Sequence, residues 1–185
     1  FKKQEPWPVA LFFDGQNLFT DEGSTMGKGW QLHQVLEQRA SEGKKVPIVV
    51  GLHHGVERDE EMSPWPPLPD KKGKAKFKLD WIHQWLWPRL KNKLQIIDKP
   101  SETLIGGSSL GGFLALYALF HHPEYYGKAL VMSPALWPDR FGIFNALMLA
   151  QARHDACIYL DHGLKEADKG LEDIGQLLFE QSKYM

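Results

Sequence analysis

The chain has 185 residues, 43% of them apolar and 24% charged. That is enough for one globular domain to bury a core without disulfides or a structural metal. Its 22 basic and 23 acidic residues nearly cancel, so no global field draws it to nucleic acid or an anionic membrane, and neither is an expected partner.

No apolar run reaches the ~18 residues of a membrane span, and no signal-peptide pattern is present. The single cysteine, Cys157, allows no internal disulfide, which fits a reducing, cytoplasmic setting. Its neighbours Ala156, Ile158 and Leu160 suggest a buried, inert thiol. The chain starts at Phe1 rather than Met, which leaves room for a native leader ahead of it.

Short apolar runs alternate with longer amphipathic stretches. Val9–Phe13 reads as a buried strand ending at Asp14-Gly15, and Gln31–Ser41 as a helix closed by Gly43. Val46–Leu52 is a second strand, with Pro47 tolerable near its start. Residues 53–76, rich in Pro, Gly and charge, read as a long loop of the kind that is often functional or mobile. Phe77–Leu94 has helical spacing with a break expected at Pro88. Strands at Thr103–Gly106, Lys128–Met132 and Ala156–Asp161 then alternate with helices at Leu110–His121, Phe141–Ala152 and Leu171–Lys183. The pattern predicts an α/β fold, a mostly parallel sheet with helices on both faces and ligands beyond the C-terminal strand ends.

At one such end stands G-x-S-x-G: Gly107, Ser108, Ser109, Leu110, Gly111. Composition alone would produce the pattern in about one such chain in fifteen, so the spacing by itself is weak. Its setting is what counts: an apolar strand before it and a twelve-residue helical pattern after it. A tight strand-to-helix turn would lift the Ser109 hydroxyl above the sheet and point the positive end of the helix at it. The bland alternative is a Gly-rich turn that only packs a helix on a sheet.

A serine nucleophile needs oxyanion donors, a base, and an acid to orient the base. Leu110 N–H directly follows the serine, and Gln16 N–H lies in the turn after the first strand, so these are the oxyanion candidates. Asp14 is either an acid or the tie of its own turn. Glu166, in the loop after the fifth strand, and Asp161, at that strand's edge, compete for the acid. His53, His54 and His162 stand where they could approach Ser109, whereas His33, His83, His121, His122 and His154 have ordinary surface, packing or helix-end readings.

Several segments in register resemble one family, from about Val9 to the chain end. Phe13-Asp-Gly-Gln-Asn-Leu-Phe19 is similar to its oxyanion-loop segment, Val49–Leu52 to its second strand and Arg58-x-x-Glu61 to its basic loop. Gly106–Gly112 resembles its nucleophile elbow, His122-Pro-Glu124 and Ser133–Trp137 the segments that follow, and Asp161-x-Gly163-x-x-Glu166 its acid loop. The family is the Putative esterase (esterase-D-like) group of α/β-hydrolases, with enterochelin-type and feruloyl esterases among its members. The resemblance implies an α/β-hydrolase fold and makes Glu166 the acid. It also implies strands ahead of Val9 and a catalytic His on a segment beyond Met185, so residues 1–185 are expected to be one domain, incomplete at both ends.

The expected activity is serine-dependent carboxylic ester hydrolysis through an acyl-enzyme, on a small-molecule ester and with no metal or other cofactor. The alternative is a catalytically silent ligand- or partner-binding protein of the same fold. Softer candidates for substrate contact are Trp137, which walls a pocket or joins the core, Arg58, which meets an anionic or catechol-like group or pairs with Glu61, and His54. The tryptophans at 65, 81, 85 and 87 read as packing. Missing flanking strands would leave a sheet edge at which two copies could pair as a homo-oligomer.

Overall fold

A computed structural model describes residues 5–135 and 155–163. Five strands, β1 (Val9–Phe13), β2 (Ile48–Leu52), β3 (Thr103–Ser108), β4 (Lys128–Met132) and β5 (Cys157–Asp161), form one sheet in the order β2-β1-β3-β4-β5. Every pairing is parallel, with Phe12 opposite Gly51 on one side and Gly106 on the other. All five C-terminal strand ends therefore meet along one edge.

The parallel sheet explains the unbroken apolar run of β1, whose five residues are all buried because neighbours and both faces are covered. The α-helices among the described residues are α1 (Leu32–Ser41), the short α2 (Arg58–Glu61), α3 (Ala75–Trp81), α4 (Trp87–Lys93) and α5 (Leu110–His121). Ten of the twelve residues of α5 are buried, which is why its sequence is apolar all round rather than striped. Phe113, Leu114 and Leu116 join Leu11, Phe13, Ile105 and Val131 in the main core.

The region around Pro88 departs from a simple break. Ile82–Leu86 forms a π-helical segment in which Trp87 N–H reaches Ile82 C=O, and α4 follows with Pro88 in its first turn. A proline at that position would press on the carbonyl of Gln84 in a regular helix; the wider turn relieves this, so the chain continues rather than stopping. The predicted helices at 141–152 and 171–183 lie outside the described residues.

Residues 53–76 form an anchored segment rather than a free loop. Glu60 pairs with Lys74 at 2.8 Å, and Glu61 pairs with Lys78 at 2.8 Å while accepting the Gly55 N–H at 3.0 Å. Trp65 packs edge-on against Phe113 and Tyr117 of α5. Trp87 is buried, but Trp81 and Trp85 are exposed and stack on each other at 5.2 Å.

Cys157 corrects the sequence reading: it is exposed. Among the described strands β5 pairs with β4 alone, and Cys157 and Tyr159 share its outward face while Ile158 and Leu160 pack on the core.

Candidate active site

Ser109 stands between β3 and α5 with φ 56° and ψ −123°, a conformation that L-residues avoid and that costs of order 1–3 kcal/mol. The surroundings hold it there. Ser109 N–H donates to Met132 C=O at 3.0 Å, while Ser109 C=O accepts from Ala135 N–H and from Phe113 N–H, each at 3.0 Å. The turn leaving β4 thus brackets the serine from outside, and the first bond of α5 fixes it from within.

Sterics dictate the flanking glycines. A Cβ on Gly107 would lie 2.5 Å from the backbone carbonyl carbon of Gly111, so the turn closes only without side chains. Ser109 itself is exposed at the strand-end edge. Leu110 is the first residue of α5, so its N–H is one of the helix donors with no intrahelical acceptor.

Gln16 sits in the single 3₁₀ turn Gly15–Asn17 that follows β1. Asp14 adopts the left-handed conformation (φ 55°, ψ 47°), and its carbonyl accepts Asn17 N–H at 2.9 Å, which aims this turn back over the sheet edge. Gly15 packs against the backbone of β2 so closely that a Cβ would come within 2.4 Å of the carbonyl carbon of Gly51. The elbow touches the same turn: the Cβ position of Gly111 is 3.1 Å from Asp14 Oδ2 and 3.2 Å from Phe13 Cβ. The structure therefore brings the Gln16 turn and the Leu110 turn side by side.

Arg58 does not pair with Glu61. Its guanidinium makes a two-pronged contact with the buried Asp14 carboxylate, Nε to Oδ1 at 2.8 Å and Nη2 to Oδ2 at 2.6 Å. That carboxylate raises the Arg58 pKa above its ordinary value, against the opposing effect of burial. Breaking such a pair from one side costs ~3–5 kcal/mol, because a charge stays buried without its partner. Forty-four positions separate the two residues, and no local pattern marks the contact.

A cleft of about 650 Å³ opens beside Gln16, lined by Phe19, Thr20, Glu22, Thr25, His53 and His54. The His54 ring contacts its neighbour's carbonyl, Nδ1 to Gly55 O, at 2.7 Å. On the other side of the elbow, Asp161 accepts the Ser133 N–H through Oδ1 at 3.1 Å, and its carboxylate also engages Tyr159. Asp161 is thus committed to joining the ends of β4 and β5. His162 is exposed just beyond it. Glu166 and Trp137 lie outside the described residues. Among the described residues, no group of three or more His, Cys, Asp or Glu side chains could hold a metal ion, and no helix is long and apolar enough to cross a membrane.

An all-parallel sheet with a strained serine at the tip of its central strand, backed by a helix N-terminus, is the architecture of an α/β-hydrolase. More narrowly, the chain belongs to the Putative esterase family, whose model matches residues 1–183.

An iron(III) enterobactin esterase of Escherichia coli O6:H1 is 37% identical over 71 residues, covering 38% of this chain and 18% of that protein. The crystal structure of the BES protein from Bacillus cereus superposes with a TM-score of 0.72 at 22% identity, over 97% of this chain and 72% of that one. The enterobactin esterase FES from Shigella flexneri, solved in the presence of enterobactin, gives a TM-score of 0.66 at 25% identity. That likeness covers 97% of this chain but 43% of the Shigella chain, so the chain spans less than half of that enzyme.

Proposed function

We propose that the protein is a carboxylic ester hydrolase in which Ser109 is the nucleophile and an acyl-enzyme the intermediate. The observation that carries this reading is the Ser109 backbone, held at φ 56° by the β4 turn with its side chain at the exposed strand-end edge. A serine that only packs a helix on a sheet has no need of that strain.

The Ser109 hydroxyl attacks the ester carbonyl, and its proton passes to a histidine oriented by Glu166, the acid that the family resemblance implies. The carbonyl oxygen takes the negative charge, and the N–H groups of Leu110 and Gln16 receive it while the helix end of α5 adds its positive field. The protonated base then gives its proton to the departing alcohol. Water, activated by the same base, releases the acid and restores Ser109. No metal or other cofactor enters these steps.

The cleft lined by Phe19, Thr25 and His54 lies beside Gln16 and is the pocket for one side of a small-molecule ester. The likeness to enterobactin esterases makes siderophore-type esters the first natural substrates to assay.

Turnover of p-nitrophenyl acetate by the wild-type protein and by Ser109→Ala tests the proposal. Loss of at least ~10³-fold in kcat for the variant is expected, the scale seen when a member of such a unit is removed. Equal turnover by both proteins would remove Ser109 from the mechanism.

A further inference from the structure

The Asp14 carboxylate is an awkward neighbour for a developing oxyanion. It is 2% exposed, and Oδ2 lies 3.1 Å from the point where a Cβ of Gly111 would stand, against the first turn of α5. It is also two residues from Gln16, in the turn that its own carbonyl shapes through Asn17 N–H. A bare negative charge there repels an oxyanion held by Leu110 and Gln16 and competes for the same helix-end field.

The Arg58 guanidinium removes that charge at source. It binds both carboxylate oxygens and spans from α2 to the end of β1, so it fixes the Asp14 side chain and, through it, the turn that carries Gln16. Two of its N–H groups are spent on Asp14, and its side chain is only about a quarter exposed. Pocket-lining residues next to Gln16 come instead from positions 15–25 and 53–54.

We infer that Arg58 is a positioning residue: it neutralises Asp14 behind the oxyanion site and holds the Gln16 turn in place, and it does not bind substrate. The inference rests on the reading of Ser109 and Gln16 given above. Arg58 touches the substrate at no point in this account; it acts through Asp14.

Steady-state kinetics of the whole protein on p-nitrophenyl acetate separate the possibilities, with Arg58→Gln, Arg58→Lys, Asp14→Asn and the double variant Asp14→Asn/Arg58→Gln. Arg58→Gln is expected to lose roughly 10²-fold in kcat with KM within about twofold, the scale of disturbing one oxyanion donor. Arg58→Lys keeps the charge without the two-pronged fit and loses roughly tenfold. The double variant has no charge to neutralise, so it recovers at least about tenfold in kcat over Arg58→Gln.

A KM rise at constant kcat in Arg58→Gln, or in Arg58→Lys should the former fail to fold, would show a substrate contact and overturn the inference. So would a double variant no better than Arg58→Gln, because without the Asp14 charge the neutralising role of Arg58 has no object and kcat must recover if that role is the one it plays. Absence of Ser109-dependent turnover in the wild-type protein overturns the hydrolase reading itself, a result distinct from wild-type turnover that Arg58→Gln leaves unchanged.

Discussion

Gly107→Ala puts the elbow geometry to a quantitative test. The added Cβ would sit 2.5 Å from the carbonyl carbon and 2.6 Å from the carbonyl oxygen of Gly111. Comfortable carbon contacts lie at ~3.5–4.0 Å, so one backbone must retreat by about 1 Å. Both colliding groups are main chain, and no rotamer change relieves them. Overpacking of this kind costs ~1–3 kcal/mol, with the upper end expected where backbone must move.

For a domain of this size, each kcal/mol lowers Tm by ~2–4 °C, which gives a fall of about 6–12 °C at the upper end. The retreat also displaces the first turn of α5 and hence Leu110 N–H, and a 1 Å misplacement at a reacting centre costs ~10²-fold in rate. Thermal unfolding followed by circular dichroism reads the first quantity, and initial rates on p-nitrophenyl acetate at a temperature where both proteins are folded read the second. Gly43→Ala is the control, since its Cβ would meet open space and the cost is the backbone at φ +74° alone, ~1–2 kcal/mol with no loss of kcat. A Gly107→Ala protein that melts within 1 °C of wild type and keeps its rate would refute the steric reasoning.

Other consequences are as direct. Phe113→Ala, at a fully buried position, should lose ~3–5 kcal/mol in urea unfolding; a loss under 1 kcal/mol would show that the core is not packed as described. His83 is buried, stacked on Tyr125 and hydrogen-bonded to the Tyr126 hydroxyl at 2.9 Å, and burial, aided by His122, pushes its pKa down to about 4. Its neutral form is therefore the one the fold favours, so its contribution is full above the unfolded value of ~6.5 and fades as pH falls toward about 4. That slope amounts to roughly 3 kcal/mol at most, and His83→Gln should flatten it. An imidazole signal for His83 titrating near 6.5 in NMR would contradict the burial argument. Cys157 should react with Ellman's reagent in the native protein, and protection until denaturant is added would contradict its exposure.

Much of this was legible in the sequence because the signals are local. The apolar run Val9–Phe13, the alternation of strands and helices, and the Gly-Gly-Ser-Ser-Leu-Gly-Gly stretch each follow from short-range rules, and the strands fall within two residues of their expected bounds. What escaped depends on tertiary partners. The Asp14–Arg58 pair joins residues 44 positions apart, and Glu61, the nearer carboxylate in sequence, is held by Lys78 instead. Cys157 reads as buried because its neighbours are apolar, but successive strand residues point to opposite faces, and Cys157 shares the exposed face of β5 with Tyr159. Pro88 promised a break, and the chain widened into a π-turn instead. The proposed acid Glu166 and pocket residue Trp137 rest on the sequence alone.

The most direct test of the central claim is to find which atom of the protein carries the acyl group. The protein is treated with a fluorophosphonate, which forms a stable adduct with an activated serine, then digested, and the peptide spanning residues 100–128 is fragmented by mass spectrometry. The account predicts a single adduct on Ser109 and loss of esterase turnover in proportion to labelling. An adduct on Ser108 or Ser101, or turnover that survives complete labelling, would contradict it.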